Sequence, residues 1–275
     1  MTHKLPEHLY IPDCQVHTDA PLDHLEWIGK YIVDKKPDVI VCAGDFADMP
    51  SLSSYDRGKK NFEGRRYKKD IEAAKAGMDV LLSPLRSMQR RQKHLKQKVY
   101  RPRMVLTLGN HEDRINRAIQ EEAILEDTIG IGDLEYEKYG WEVVPYLQTI
   151  EIDGILYSHF FPRNPNGRIV QNKRGCPSAR AQVVREMQSC TSGHLQGVDF
   201  CIYQTGSHRK YGLIAGSCYL HEEAYLTPQG THYWRGIVYK HEVQHGEYDP
   251  MLVSLGYLCR RYGTAKQIRR WGNLK

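Results

Sequence analysis

Three short apolar runs in the first half of the chain each end in an oxygen-bearing side chain. HLYIP precedes Asp13, VIVCA precedes Gly44-Asp45, and MVLTL precedes Gly109-Asn110. Two later runs end in histidine, at Ser158-His159 and Gly193-His194. Runs of the VIVCA kind read as buried parallel strands, and open α/β sheets build their sites outside the carboxyl ends of such strands. These five side chains are therefore expected to converge. Carboxylate, amide oxygen and imidazole together form a ligand set suited to Mn²⁺, Fe²⁺ or Zn²⁺. Each motif is weak alone; it is the set that points to a metal centre.

Competing templates are weaker. His241-Glu242-Val243-Gln244-His245 matches H-E-x-x-H, but that zinc site needs a helix to bring both histidines to one face. Here the motif follows an alternating run and is cut short by Gly246 and Pro250, which predicts strand and turn. No phosphate-loop, dinucleotide or nucleophile-elbow motif is present. The 7 cysteines are odd in number and lack a C-x-x-C pair, so buried free thiols in a reducing compartment are expected. His208, His221 and His232 read as structural or surface residues, with His221 the nearest to a late loop beside the site.

Taken in order, Asp13-Cys14-Gln15, Gly44-Asp45-Phe46-Ala47-Asp48, Gly109-Asn110-His111-Glu112, Ser158-His159 and Gly193-His194-Leu195-Gln196 resemble the motifs of calcineurin-like metallophosphoesterases. The stretch DFADMPSLSSYD and the basic segment after it are most similar to bacteriophage-encoded members. The resemblance implies an α/β fold, a four-layer αββα sandwich of two mixed sheets, with two divalent metal ions. It also implies roles by position. Asp45 bridges the metals, Asn110, His159 and His194 complete one site, and Asp13 serves the other. His111 acts as general acid or transition-state donor, with Asp48 behind its ring. Two positions depart from the pattern, because Gln15 and Gln196 stand where histidines usually complete the first metal site. A neutral amide oxygen suits Mn²⁺ or Mg²⁺ better than Zn²⁺, so Mn²⁺ is the expected ion, ahead of Mg²⁺, Fe²⁺, Zn²⁺ or Ni²⁺. A weaker first site follows; His17, two residues beyond Gln15, reads as a surface histidine rather than its replacement.

The elements that must hold these residues are legible in the first hundred positions. Leu22, Leu25, Ile28, Gly29 and Ile32 fall at helical spacing behind Pro21, predicting a helix to about Asp34 and hence a βαβ unit. Tyr67, Ile71, Ala74, Met78, Leu81 and Leu85 predict a helix, and Ser83-Pro84 predicts the start of a second one reaching about Lys98. Beyond Asn110, Ile115, Ile119 and Ile124 predict the inner face of another helix. Later strands are expected at 143–144, 149–152, 155–157, 200–203, 211–215 and 233–239, with a hairpin at Asp153-Gly154.

Charge is unevenly spread along the chain. The whole carries +6, yet Arg57 to Arg103 contains 16 Lys and Arg against 4 Asp and Glu, leaving −6 for the remainder. We read a single domain over residues 1–275 with a basic helical insertion at 51–103. Its cations, Arg90, Arg91 and Lys93 among them, with Tyr55, Phe62 and Tyr67 nearby, are expected to bind substrate, because Lys and Arg neutralise phosphates and aromatics stack on bases. The expected activity is phosphodiester hydrolysis on nucleic acid or nucleotides. A phosphomonoesterase and a non-catalytic binding scaffold are the alternatives. No run approaches the roughly 18 apolar residues of a membrane span, and the N-terminus lacks a signal-peptide segment, so no membrane partner and a cytoplasmic location are expected. The sequence leaves the oligomeric state open.

Overall fold

The computed structural model describes residues 4–54, 58, 60–162, 176–222 and 233–274. Arg57, Tyr55 and His232 lie outside the described residues. β1 (His8–Ile11), α1 (Asp23–Lys35), β2 (Val39–Cys42), α2 (Tyr67–His94) and β3 (Arg103–Thr107) form two successive βαβ units. α3 (Arg114–Glu121) leads to β4 (Glu142–Val144), which closes the parallel part of the first sheet. The second sheet uses β5 (Ile150–Ile152), β6 (Ile155–Tyr157), β7 (Ser189–Ser192), β8 (Val198–Gln204) and β9 (Arg209–Ala215), with α4 (Ala179–Glu186) preceding β7. The chain then returns as β10 (Gly236–Gln244) and β11 (Glu247–Ser254), and ends in α5 (Leu255–Tyr262) and α6 (Ala265–Trp271).

The sheet orders are β11-β10-β1-β2-β3-β4 and β5-β6-β7-β9-β8. Both are mixed: β1 to β4 run parallel while β10 and β11 are antiparallel, and β6, β7 and β9 run parallel between antiparallel β5 and β8. Strand alternation sorts the core into layers. Leu9, Ile11, Ile40, Leu106 and Ile237 face α1, α2 and α5, whereas Tyr10, Val41, Val105 and Val238 face Ile155, Tyr157 and Leu213 of the second sheet. Val183 of α4 and Cys190 pack on that sheet's far side. The order is helix, sheet, sheet, helix, as expected for a four-layer α/β sandwich. All seven cysteines are free.

Several local expectations are corrected. Ser83-Pro84 does not start a helix; α2 runs unbroken for 28 residues with Pro84 inside it. An internal proline costs about 3 kcal/mol in a free helix. Here its ring lies where α1 has no side chain: a Cβ on Gly29 would meet Pro84 Cγ at 2.9 Å and the Leu81 carbonyl at 2.3 Å. The gap that accepts the proline is thus made by that glycine. Ile124 is 85% exposed, because the chain leaves helical geometry at Glu122 and the period that ordered Ile115 and Ile119 stops there. Pro250 interrupts nothing; it sits within β11, an edge strand whose outer side needs no N–H. The H-E-x-x-H segment is strand and turn: β10 bulges between His241 and Gln244, and His245 adopts φ +52°. The sequence did not announce α4, α5, α6 or β11, and the run that ends at Gly193-His194 is β7. β7 reads SCTS, a fully buried strand with none of the usual β-branched apolar signal.

The layer between the sheets holds a buried lysine, whose charged form burial disfavours. Lys240 has 0% exposure and donates to Tyr157 Oη (3.2 Å) and Thr191 Oγ1 (2.6 Å), with its ammonium 4.5 Å from the Tyr157 and Tyr248 ring centres. Beside it, buried His8 contacts Tyr157 Oη and Asp153 at 2.8 Å each. Burial and then Lys240 push His8 down to about 4, against the pull of Asp153. Burial likewise pushes His24 down to about 3. Both imidazoles are depressed below their unfolded value of 6.5, so the unfolded chain takes up protons first as pH falls. Stability is therefore lost on descending from pH ~6.5 towards ~4, by about 3 kcal/mol for one such group. Urea unfolding across that window is expected to show the decline, and His24→Leu to flatten it. An unchanged slope in that variant would remove His24 from the account.

Candidate metal centre

Each motif glycine stands where a side chain would collide with the site. Gly109 precedes Asn110, and a Cβ there would fall 2.1 Å from Asp45 Oδ1. Gly193 precedes His194, and its Cβ would fall 2.3 Å from Asp13 Oδ1. The strand-end turns are drawn together until only hydrogen fits. Asp45, Gln15 and His194 adopt φ of +44°, +45° and +63°, left-handed values that cost non-glycine residues about 1–3 kcal/mol each. Such strain persists only where surrounding contacts fix the backbone.

Glu112 supplies much of that fixing. Fully buried, its carboxylate accepts from the N–H groups of Asp45 (2.8 Å), Ala47 (3.0 Å) and Gly109 (2.9 Å), and from Tyr136 Oη (3.2 Å). One side chain thereby ties the turn after β2 to the turn after β3. Asp45 Oδ1 accepts in turn from the His111 N–H at 2.8 Å.

Asp45, His159 and His194 present ligand atoms all within 4.8 Å of one another. Asn110 Oδ1 completes the group, 2.9 Å from His159 Nε2 and 2.8 Å from His194 Nδ1. His159 Nδ1 lies 2.8 Å from the Ala43 carbonyl, a contact that requires the proton on Nδ1 and turns Nε2 into the site. The His194 ring stacks on Phe160 with centroids 4.6 Å apart. The Arg117 guanidinium donates to the Asn110 carbonyl at 2.6 Å. Carboxylate, amide oxygen and two imidazoles brought this close together fit a divalent ion.

A second position beside Asp45 is less complete. Asp13 is fully buried and accepts from the His194 N–H at 3.1 Å through both oxygens. Gln15 is 1% exposed, and its Oε1 has no hydrogen-bond partner among the described residues. An orphaned buried oxygen costs about 1–3 kcal/mol, and a cation beside Asp13 would satisfy it. Gln196 is committed elsewhere, accepting from Tyr219 Oη at 3.0 Å. His17 packs edge-on against His221, with centroids 4.7 Å apart.

The electrostatics are those of a site holding two acids and a cationic ring without enough charge between them. Burial pushes Asp13 up to about 7, against His159 and with Asp45 adding. Burial also opposes ionisation of Asp45, yet His111 and His159 hold it far below the usual carboxylate range. Burial disfavours charge on His159, but Asp45 raises it to about 9. A divalent ion among these groups takes over the role of the shared protons.

His111 lies beside the cluster. Its Nδ1 is 2.7 Å from Asp48 Oδ1 and its Nε2 is 3.1 Å from Arg114 Nη2. Arg114 also donates to the Asp48 and Met49 carbonyls. Arg114, Arg117 and Glu112 were not among the expected site residues. Arg114 and Arg117 follow His111 by three and six residues and, being three apart, lie on the same face of α3.

Arg90, Arg91 and Lys93 are not brought to the cluster. α2 packs Gly77 against Val16 and Phe46 near the site, where a Cβ would meet both at 3.2–3.3 Å. It then runs towards the amino ends of the parallel strands. At about 1.5 Å rise per residue, Lys93 sits roughly 24 Å farther along the helix. Periodicity shows that a helix is basic but not which of its ends meets the ligands.

These features define a layered α/β protein with a cluster of side chains at the carboxyl ends of its strands that could hold a divalent cation. No protein-family model and no curated protein sequence matches the chain. Among solved structures, a conserved uncharacterised protein from Streptococcus pneumoniae TIGR4, described as a predicted phosphoesterase, aligns over 90% of this chain and 98% of its own, with 12% identity and a TM-score of 0.33. A likeness that distant carries no argument about the reaction, which rests on the site's own geometry. Among the described residues, no helix is long and apolar enough to cross a membrane.

Proposed function

We propose that the protein is a metal-dependent phosphoester hydrolase that prefers diesters. The observation that carries this reading is the joint placement of Asp45, Asn110, His159 and His194 beside an imidazole, His111, backed by a carboxylate. Asp45, Asn110, His159 and His194 would hold one divalent ion, and Asp13 with Asp45 and Gln15 a second, weaker one. Bound there, such ions supply neutralisation of the ester's charge and an activated water. His111 would deliver a proton to the leaving oxygen from Nε2, while Asp48 keeps the other ring nitrogen occupied and the ring oriented. Arg114, now on Nε2, would release that atom when substrate enters. The ions invoked are Mn²⁺ first, on the hardness of the amide and carboxylate ligands.

The committed arginines favour a diester. Arg117 and the Nη1 nitrogen of Arg114 are bound to protein carbonyls, so only the Nη2 nitrogen of Arg114 would be left to meet the additional charge of a monoester, and no bidentate clamp is available. With Mn²⁺ present, bis-p-nitrophenyl phosphate is expected to be hydrolysed faster than p-nitrophenyl phosphate. Reversal would make the protein a monoesterase. Inactivity with every metal would make it a binding scaffold, the reading that Gln196's engagement with Tyr219 would then support. His111→Ala is expected to keep full metal content and lose about 10²–10⁴-fold in kcat. Unchanged kcat would remove His111 from the chemistry.

A further inference from the structure

The carboxyl end of α2 carries a groove separate from the metal cluster. Leu82, Leu85, Val99, Pro102 and Met104 line a hollow of about 360 Å³ whose rim includes Lys93 and Arg101. A second hollow of about 530 Å³ shares Val99, Arg101 and Pro102 with it and adds Lys98, Lys36 and one acidic residue, Asp38, which also lies 3.8 Å from Lys4. The two hollows adjoin along Val99, Arg101 and Pro102, which line both, and together make up a trough beside the amino end of β3, where Arg103 pairs with Val39.

The charge around this trough is unbalanced. No Asp or Glu occurs between Asp79 and Glu112, while Arg90, Arg91, Lys93, Lys96, Lys98 and Arg101 all fall in that interval. Arg86 is neutralised by Asp79 at 3.0 Å. Arg91, Lys93, Lys96, Lys98 and Arg101 have no acidic partner among the described residues. A helix that needed these cations only for solubility would gain from interleaved acids. Their concentration around an apolar floor has a different use.

We propose that this trough binds single-stranded nucleic acid, its cations contacting phosphates and its floor receiving bases. The choice of a single strand follows from the floor: a duplex offers phosphates alone, whereas unstacked bases need an apolar bed beside the cationic rim. The trough lies at the opposite end of α2 from the metal cluster, so the bound strand is anchored away from the bond being cleaved. The inference does not rest on the catalytic reading, because binding is read without turnover.

The test measures fluorescence anisotropy of a labelled oligothymidylate against salt for the full chain, for K98E/R101E, and for K68E/K69E at the other end of α2. Wild-type protein is expected to bind, with affinity falling steeply as salt rises. K98E/R101E should raise Kd about tenfold or more at low salt and reduce the salt slope by about 1.4, two phosphate contacts at ~0.7 each. Its circular dichroism spectrum and thermal unfolding should match wild type, which shows that the variant folds. K68E/K69E should retain most binding. Equal losses in the two variants would overturn the trough in favour of overall charge. Unaffected binding in K98E/R101E, or tighter binding to duplex or to phosphatidylserine vesicles than to the oligonucleotide, would overturn it outright.

Discussion

Asp45→Asn is expected to abolish stoichiometric Mn²⁺ uptake and to lower kcat/KM by about a thousandfold or more, some 4 kcal/mol of transition-state stabilisation. Asp45 occupies the centre of the arrangement. Its carboxylate is within reach of His159 and His194, and it stands beside Asp13 in the position that would serve both ions. Asparagine keeps the size of the side chain and tolerates the +44° φ better than most residues, so the backbone at the turn should survive. What changes is the charge. His159 loses the partner that raises it, and the cluster loses the anion that draws a cation in. Metal content by plasma emission and isothermal titration with Mn²⁺ check the first part, and diester turnover checks the second. A variant that still takes up metal at wild-type affinity would place the ion elsewhere.

The second large effect falls on stability. Glu112→Ala removes the acceptor for three buried N–H groups and the Tyr136 hydroxyl at one stroke. Each orphaned donor costs about 1–3 kcal/mol, and local rearrangement will recover part, so a loss of about 3–5 kcal/mol is expected. For a chain of this size that is a fall in Tm of about 10 °C or more, measurable by calorimetry. Glu112→Gln should lie between, since its amide can accept through one oxygen but turns a second donor on the backbone donors. Because Glu112 ties the turn bearing Asp45 to the turn bearing Asn110, Mn²⁺ affinity should weaken in both variants even where they stay folded. Wild-type thermal stability in Glu112→Ala would show that the turns hold without it.

The contrast between these two residues shows what the sequence could yield. Asp45 is legible because a β-branched strand must stop somewhere, and what stands at its carboxyl end faces a common edge. The same logic brought Asp13, Asn110, His159 and His194 to that edge. Glu112 was visible as part of a motif, but its work is done through backbone N–H groups, which carry no residue signature. Gly109 and Gly193 belong to the same hidden level, since the carboxylates they make room for are distant in sequence. Pro84 misled because a helix-starting pattern is local, whereas the gap at Gly29 that accommodates it belongs to another helix. Lys240 gave no warning either, since an exposed strand lysine and one boxed in by Tyr10, Tyr157 and Tyr248 look alike on paper. Charge singled out the basic segment but could not say where in the fold its cations would stand. Its helix packs Ile71, Ala74, Met78 and Leu81 into the core, so its direction is set by the sandwich and its cations end up at the far pole.

The most direct test is anomalous diffraction at the manganese edge from crystals equilibrated with Mn²⁺. The account predicts a strong peak at about 2.0–2.3 Å from Asp45, Asn110, His159 and His194 ligand atoms, with a weaker peak beside Asp13 and Gln15. Protein crystals showing no peak among those four side chains, or one strong peak elsewhere, would contradict it.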